Sequence, residues 1–198
     1  DYGIEAGKPT ANFEAVVKRS RNVADGMSKG VQFLMKKNKI QVIMGHATLT
    51  AGPKVSVKDA EGSVTEYTAP HIIVATGGRA KQLPNLPIDG EKVIEYRKAM
   101  SLPKQPKRMV VVGAGAIGVE FGYFYHTLGT EVSIVEFMEQ GLVPREDADI
   151  SKELGRLYAK KGMKVFGGWS VEKVDTAGSE IAVQIKNRGD GAAQTILC

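Results

Sequence analysis

The chain is short of the residues that build disulfide frameworks and metal centres. Its 198 residues include one cysteine, Cys198, so an internal disulfide is excluded. The three histidines, His46, His71 and His126, stand far apart and show no metal-ligand spacing. Long apolar runs are missing too. Nothing approaches the length of a membrane span, and no signal peptide is visible. The net charge of +5 is dispersed through KRSR, MKKNK, KQPKR and AKKG, with no basic stripe interleaved with aromatics. Nucleic-acid and membrane partners are therefore not expected, and a soluble globular chain is. The sequence begins at Asp1 without a methionine and stops at Cys198 inside the apolar run TILC, so it reads as a piece of something longer.

Glycine, by contrast, is plentiful, with 23 residues, and one group of them is ordered by its surroundings. Met109 to Val112 is β-branched and too short for a helix, which predicts a buried parallel strand. Gly113, Gly115 and Gly118 follow at the G-x-G-x-x-G spacing, and a helix-like pattern continues to Phe124. Gly113 allows a sharp exit from the strand, Gly115 removes the Cβ that would obstruct a diphosphate, and Gly118 lets the helix lie close on the sheet. The helix start adds unpaired N–H groups and the positive end of a dipole. Roughly 20 residues beyond the glycines, the predicted strand Glu131 to Glu136 ends on a carboxylate, where a dinucleotide fingerprint needs an acid for the adenosine ribose hydroxyls. Phe137 and Met138 come next, with no arginine for a 2′-phosphate, so NAD is expected over NADP.

Asn12 reads as the N-cap of one long amphipathic helix that closes on Lys36, Lys37 and Lys39. Ile40 to Met44 is expected as a strand and Gly45-His46-Ala47 as a tight loop. Lys54 to Lys58 and Val64 to Thr68 form a predicted hairpin around Asp59 to Gly62. His71 to Ala75 reads as a buried strand ended by Thr76-Gly77-Gly78, and Pro84 and Pro87 put a domain seam near residue 80. A helix opened by Asp147 and Asp149 should close at Lys160, Lys161 and Gly162. Lys164 to Phe166, Trp169 to Val174 and Ile181 to Lys186 are further expected strands.

Taken together, PKRMVVVGAGAIGVEFG with VSIVEF, HIIVATGGRAKQLP, and the helix-then-GHA segment from Asn12 to Ala47 resemble the flavoprotein disulfide reductases over nearly all 198 residues. The resemblance implies an α/β, Rossmann-like FAD/NAD(P)-binding fold. Residues 1–79 would be part of an interrupted FAD domain, and residues 80–198 a nearly complete NAD domain. It places Gly113, Ala114, Gly115, Ala116, Ile117, Gly118, Glu120 and Glu136 at NAD, and His46, Ala47, Thr76 and Gly77 at FAD. Glu120 would sit near the nicotinamide and flavin, and Ala116 would stand where relatives carry a gating side chain. Within the family the match is nearest to the branch that reoxidises protein-bound dihydrolipoamide. That branch implies the lipoyl domain of a 2-oxoacid dehydrogenase or glycine cleavage complex as partner, a homodimeric parent, and a cytoplasmic or mitochondrial-matrix location. The C-x-x-x-x-C pair, its lysine partner, the first FAD glycine fingerprint and the His-Glu pair are not in this sequence, so no catalytic residue is expected in the chain. Alternatives are a glutathione, mercuric or coenzyme A disulfide reductase, a methyltransferase using the same glycine turn, and a non-enzymatic nucleotide-sensing module.

Overall fold

The computed structural model describes Gly7 and residues 10–198. Contacts divide the chain into a larger unit, 80–198 together with the start of the first helix through Arg21, and a smaller unit, Asn22–Arg79. Among the described residues no helix is long and apolar enough to cross a membrane.

The larger unit is built on a parallel sheet of β4 (Arg108–Val112), β5 (Glu131–Glu136) and β6 (Lys164–Gly167), in the order β4-β5-β6. Helix α3 (Ala116–Thr127) links β4 to β5, and α4 (Ala148–Lys160) links β5 to β6. This alternation of strand, helix and parallel strand is the α/β, Rossmann-like arrangement expected. Successive side chains of a strand point to opposite faces. On one face Val132 and Ile134 of β5 join Val119, Tyr125, Tyr158 and Met163 in the main core. On the other, Val135 packs with Val171, Val183 and Ile185. Those partners belong to an antiparallel meander of β7 (Trp169–Asp175), β8 (Ala182–Asn187) and β9 (Ala193–Leu197). β5, buried on both faces, is thus the centre of the unit.

Two expectations change here. Met109 to Val112 does pair in parallel with β5, but it is an edge strand and only half-buried, with Val112 39% exposed. The terminal apolar run, given no strand in the sequence reading, forms β9 against β8. The short helix α2 (Tyr96–Ala99) was also not anticipated.

Helix α1 (Phe13–Lys37) begins as expected: the Ala15 N–H donates to Asn12 Oδ1 at 2.9 Å. Its first turns group with the larger unit. The reason is Phe13, buried with its ring 5.8 Å from Tyr125 and 6.5 Å from Phe124.

In the smaller unit, β1 (His46–Thr50), β2 (Lys54–Lys58) and β3 (Val64–Thr68) form an antiparallel meander. The β2–β3 hairpin falls where the sequence places it. Ile40 to Met44 and His71 to Ala75 are corrections: neither is a strand, and Ile73 is 91% exposed. A strand exists only by pairing, and neither segment has a strand partner among the described residues. The expected loop at His46-Ala47 is instead the start of β1, because Gly45 lets the chain close on β2. A Cβ at Gly45 would lie 2.6 Å from the Lys58 carbonyl oxygen. No residue of 22–79 is buried.

Candidate functional site

At the C-terminal end of the parallel sheet, the turn from β4 into α3 is fixed by contacts that leave part of its backbone open. Gly113 has φ +98°, a conformation that disfavours any side chain, and its N–H donates to the Val135 carbonyl at 2.8 Å. This ties the turn to the neighbouring strand. Gly118 faces back into the turn, where a Cβ would sit 2.0 Å from the Gly113 carbonyl oxygen and 3.2 Å from Val111 Cγ1. Only glycine fits there.

Gly115 is the N-cap of α3, and no side chain caps the helix. A Cβ at Gly115 meets no atom within 4 Å, so that backbone stands open. Ala116 and Ile117 form the exposed first turn, whose N–H groups have no intrahelical acceptor. Open backbone, free donors and a positive dipole end together suit an anion.

Glu136 closes the site from the tip of β5. Its carboxylate, only 8% exposed, accepts the Ala114 N–H on Oε2 at 2.7 Å and the Met138 N–H on Oε1 at 2.9 Å. A carboxylate has about four lone-pair sites, so two remain for further donors such as a pair of hydroxyls. Ala114 itself is fully buried, and its carbonyl accepts the Val143 N–H at 2.7 Å. The glycine turn, the acid and the loop before α4 are therefore one hydrogen-bonded assembly. The residues present fit a dinucleotide: an open cradle for two phosphates and a buried acid for a ribose.

Glu120 lies in the second turn of α3, exposed, and lines a cavity of about 240 Å³ with Val17, Arg21, Met100 and Phe124. Burial raises the Tyr158 pKa, with Tyr123 and Glu120 adding in the same direction, and the Tyr158 hydroxyl donates to the Val119 carbonyl at 3.1 Å. The structure thus brings Gly113, Ala114, Gly115, Ala116, Ile117, Gly118 and Glu136 together in one assembly, with Glu120 farther along the helix.

The residues expected at a flavin lie in the smaller unit. His46 and Ala47 pair with Lys58 and Val57 in strand β1, while Thr76 and Gly77 lie in irregular backbone, Gly77 with φ +71°. All four are exposed and form no enclosing wall by themselves, so these residues alone do not fit a flavin. No cluster of metal-ligating side chains occurs among the described residues.

Sequence reasoning missed several members. Gly122, where a Cβ would lie 3.0 Å from Ile134 Cδ1, continues the close helix–sheet approach, and its spacing after Gly118 could have revealed it. Val143 bears no such signal, although its positive φ of 42° marks the tight path back to Ala114. Arg188, which stacks on Phe137 next to Glu136, is also missing from any local motif.

Residues 4–198 match the family model for pyridine nucleotide-disulphide oxidoreductases. The chain belongs to that family. Among curated members of the pyridine nucleotide-disulphide oxidoreductase family, it is 41% identical over 195 residues to the dihydrolipoyl dehydrogenase of Chlorobaculum tepidum, covering 98% of this chain and 41% of that relative. The dihydrolipoyl dehydrogenase of Zymomonas mobilis is 41% identical over 165 residues, which is 83% of this chain and 35% of the relative. The crystal structure of LpdA from Mycobacterium tuberculosis superposes with a TM-score of 0.81 at 27% identity, over 96% of this chain and 42% of that one. The Escherichia coli flavoprotein disulfide reductase RclA, with a TM-score of 0.80 at 23% identity, shares the fold. The chain thus spans about two fifths of the length of these family members.

Proposed function

We propose that residues 80–198 are an NAD-binding domain and residues 1–79 part of an FAD domain, within a dihydrolipoamide dehydrogenase. That enzyme reoxidises protein-bound dihydrolipoamide and reduces NAD through a flavin. The observation that carries the reading is the Glu136 carboxylate, buried at the strand tip and bonded to the Ala114 N–H inside the glycine turn. In this reading Gly115, Ala116 and Ile117 hold the diphosphate, Glu136 accepts the adenosine ribose hydroxyls, and Glu120 orients the nicotinamide end. Bound NAD supplies a hydride acceptor; the chain's own residues bind it and orient it.

With one cysteine, these 198 residues hold no dithiol pair and are proposed to bind NAD without turning over lipoamide. For the parent, a lipoyl domain is the proposed partner, a homodimer the proposed assembly, and the cytoplasm or mitochondrial matrix the proposed location. Calorimetry of the chain with NADH tests the nucleotide site. Glu136→Ala should weaken binding at least about tenfold, as loss of a charge-assisted bond to a ligand does. A folded wild-type sample that binds no NADH, or a Glu136→Ala variant that binds it unchanged, would remove the basis for the proposal.

A further inference from the structure

Among the described residues only Lys39 and Val143 combine a side chain with a positive φ, and Val143, at +42°, is β-branched. A β-branched residue resists that conformation, so it persists only where its surroundings dictate it. Here they do so from both sides. The Val143 carbonyl accepts the Glu146 N–H at 3.0 Å and the Ser151 hydroxyl at 3.1 Å. Gln140 Nε2 braces the same loop, donating to the Glu146 carbonyl at 2.8 Å and to Ser151 Oγ at 3.0 Å. Ser151 is buried in the first turn of α4, so the loop is tied to a packed helix. The Val143 N–H faces the glycine turn and donates to the Ala114 carbonyl at 2.7 Å. A trans peptide is planar and holds its C=O and N–H on opposite sides. Fixing the Ala114 carbonyl therefore fixes the direction of the Gly115 N–H. That N–H points away from Val143, on an exposed residue, and has no acceptor among the described residues.

We infer that Val143 is a positioning residue for the nucleotide diphosphate: its left-handed backbone holds the Ala114–Gly115 peptide in the orientation that aims the Gly115 N–H into the open cradle. The inference rests on the proposed nucleotide site and deepens it, from which residues hold the diphosphate to what holds those residues. The earlier N–H groups of the turn are committed, Gly113 to the Val135 carbonyl at 2.8 Å and Ala114 to Glu136 at 2.7 Å. Gly115 thus carries the first N–H left for an anion, and it joins those of Ala116 and Ile117. A glycine at an exposed helix start would rotate its peptide at little cost. The Val143 contact removes that freedom before a ligand arrives, and donors already in place bind an anion more tightly than donors that must first be ordered.

The test replaces the Val143 N–H by an ester oxygen, through incorporation of the matching α-hydroxy acid at position 143, which leaves the side chain unchanged. ADP carries a diphosphate, whereas adenosine fills only the ribose end of the site. Titrations followed by amide resonances should show ADP and NADH affinity falling about tenfold in the ester variant, with adenosine affinity changing less than about twofold. A merely structural role would weaken ADP and adenosine alike; that result would overturn the inference, as would unchanged ADP affinity. If the variant does not fold, the unaltered chain still decides. Its Gly115 amide resonance should move farther with ADP than with adenosine, while the Val143 N–H stays protected from hydrogen exchange in both. A Gly115 shift no larger with ADP than with adenosine would overturn the inference and leave the nucleotide site standing. Binding of none of the three compounds removes both.

Discussion

A Cβ on Gly118 would collide with the Gly113 carbonyl oxygen at 2.0 Å, whereas one on Gly115 would touch nothing within 4 Å. Gly118→Ala should therefore destabilise the unit by about 1–3 kcal/mol or more, since fixed backbone has to move. Gly115→Ala, at a φ of −66° open to any residue, should leave the denaturation midpoint near wild type and yet cost at least about tenfold in NADH affinity. Thermal melts paired with calorimetry separate these effects, and equal melting losses for both would contradict the assignment. Tyr125 gives a second residue-scale test. Fully buried, with its hydroxyl donating to the Ala99 carbonyl at 2.5 Å, it has its pKa pushed up by burial to about 12. An unfolded tyrosine ionises near 10, so the stability Tyr125 contributes is whole below about pH 10 and falls as pH rises toward 12. Tyr125→Phe should flatten that alkaline decline while costing roughly 1 kcal/mol at neutral pH. Denaturation midpoints measured from pH 8 to 11.5 would show a parallel decline in both proteins if this is wrong.

The elements differ in how far the sequence discloses them, and partnership explains the difference. Where local pattern and pairing agree, the reading holds: α1 starts after Asn12, β5 spans Glu131–Glu136, and α4 closes before Gly162. The glycine turn and its acid were equally legible, because the glycines answer demands within one turn and the acid falls at a fixed distance of one strand–helix–strand unit. The reading fails where strand character depends on a neighbour. Ile40 to Met44 has better strand composition than His46–Thr50, yet only the latter pairs with β2, and Gly45 marks where that contact begins. HIIVA likewise reads as a buried strand but lies largely exposed, with no strand partner among the described residues. Arg188 escaped because its destination, Phe137, is set by the β8–β9 turn and not by any motif. The same contrast predicts behaviour. With no buried residue in 22–79, local opening there costs little, and limited proteolysis followed by mass spectrometry should find early cuts within that range and a surviving 80–198 core. Early cuts within β5 or α3 would count against this.

Across the whole molecule, family membership is carried by a chain that spans 41% of the Chlorobaculum tepidum relative. The exposed His46, Ala47, Thr76 and Gly77 offer no enclosure for a flavin, so the purified 198 residues should be colourless, with no flavin retained through gel filtration. A yellow protein with a bound-flavin spectrum would reverse that expectation. Lipoamide-dependent NAD reduction by the same sample should be nil, and measurable turnover would require a redox couple other than a cysteine pair in this sequence. The burial of β5 on both faces has one more consequence. Its interior side chains and Gly118 keep the scaffold intact, whereas Phe137 and Arg188 ride on its rim, outside the packed layers. Substitutions at these two rim positions should thus leave the packed layers as they are, with a melting temperature close to that of the unaltered chain.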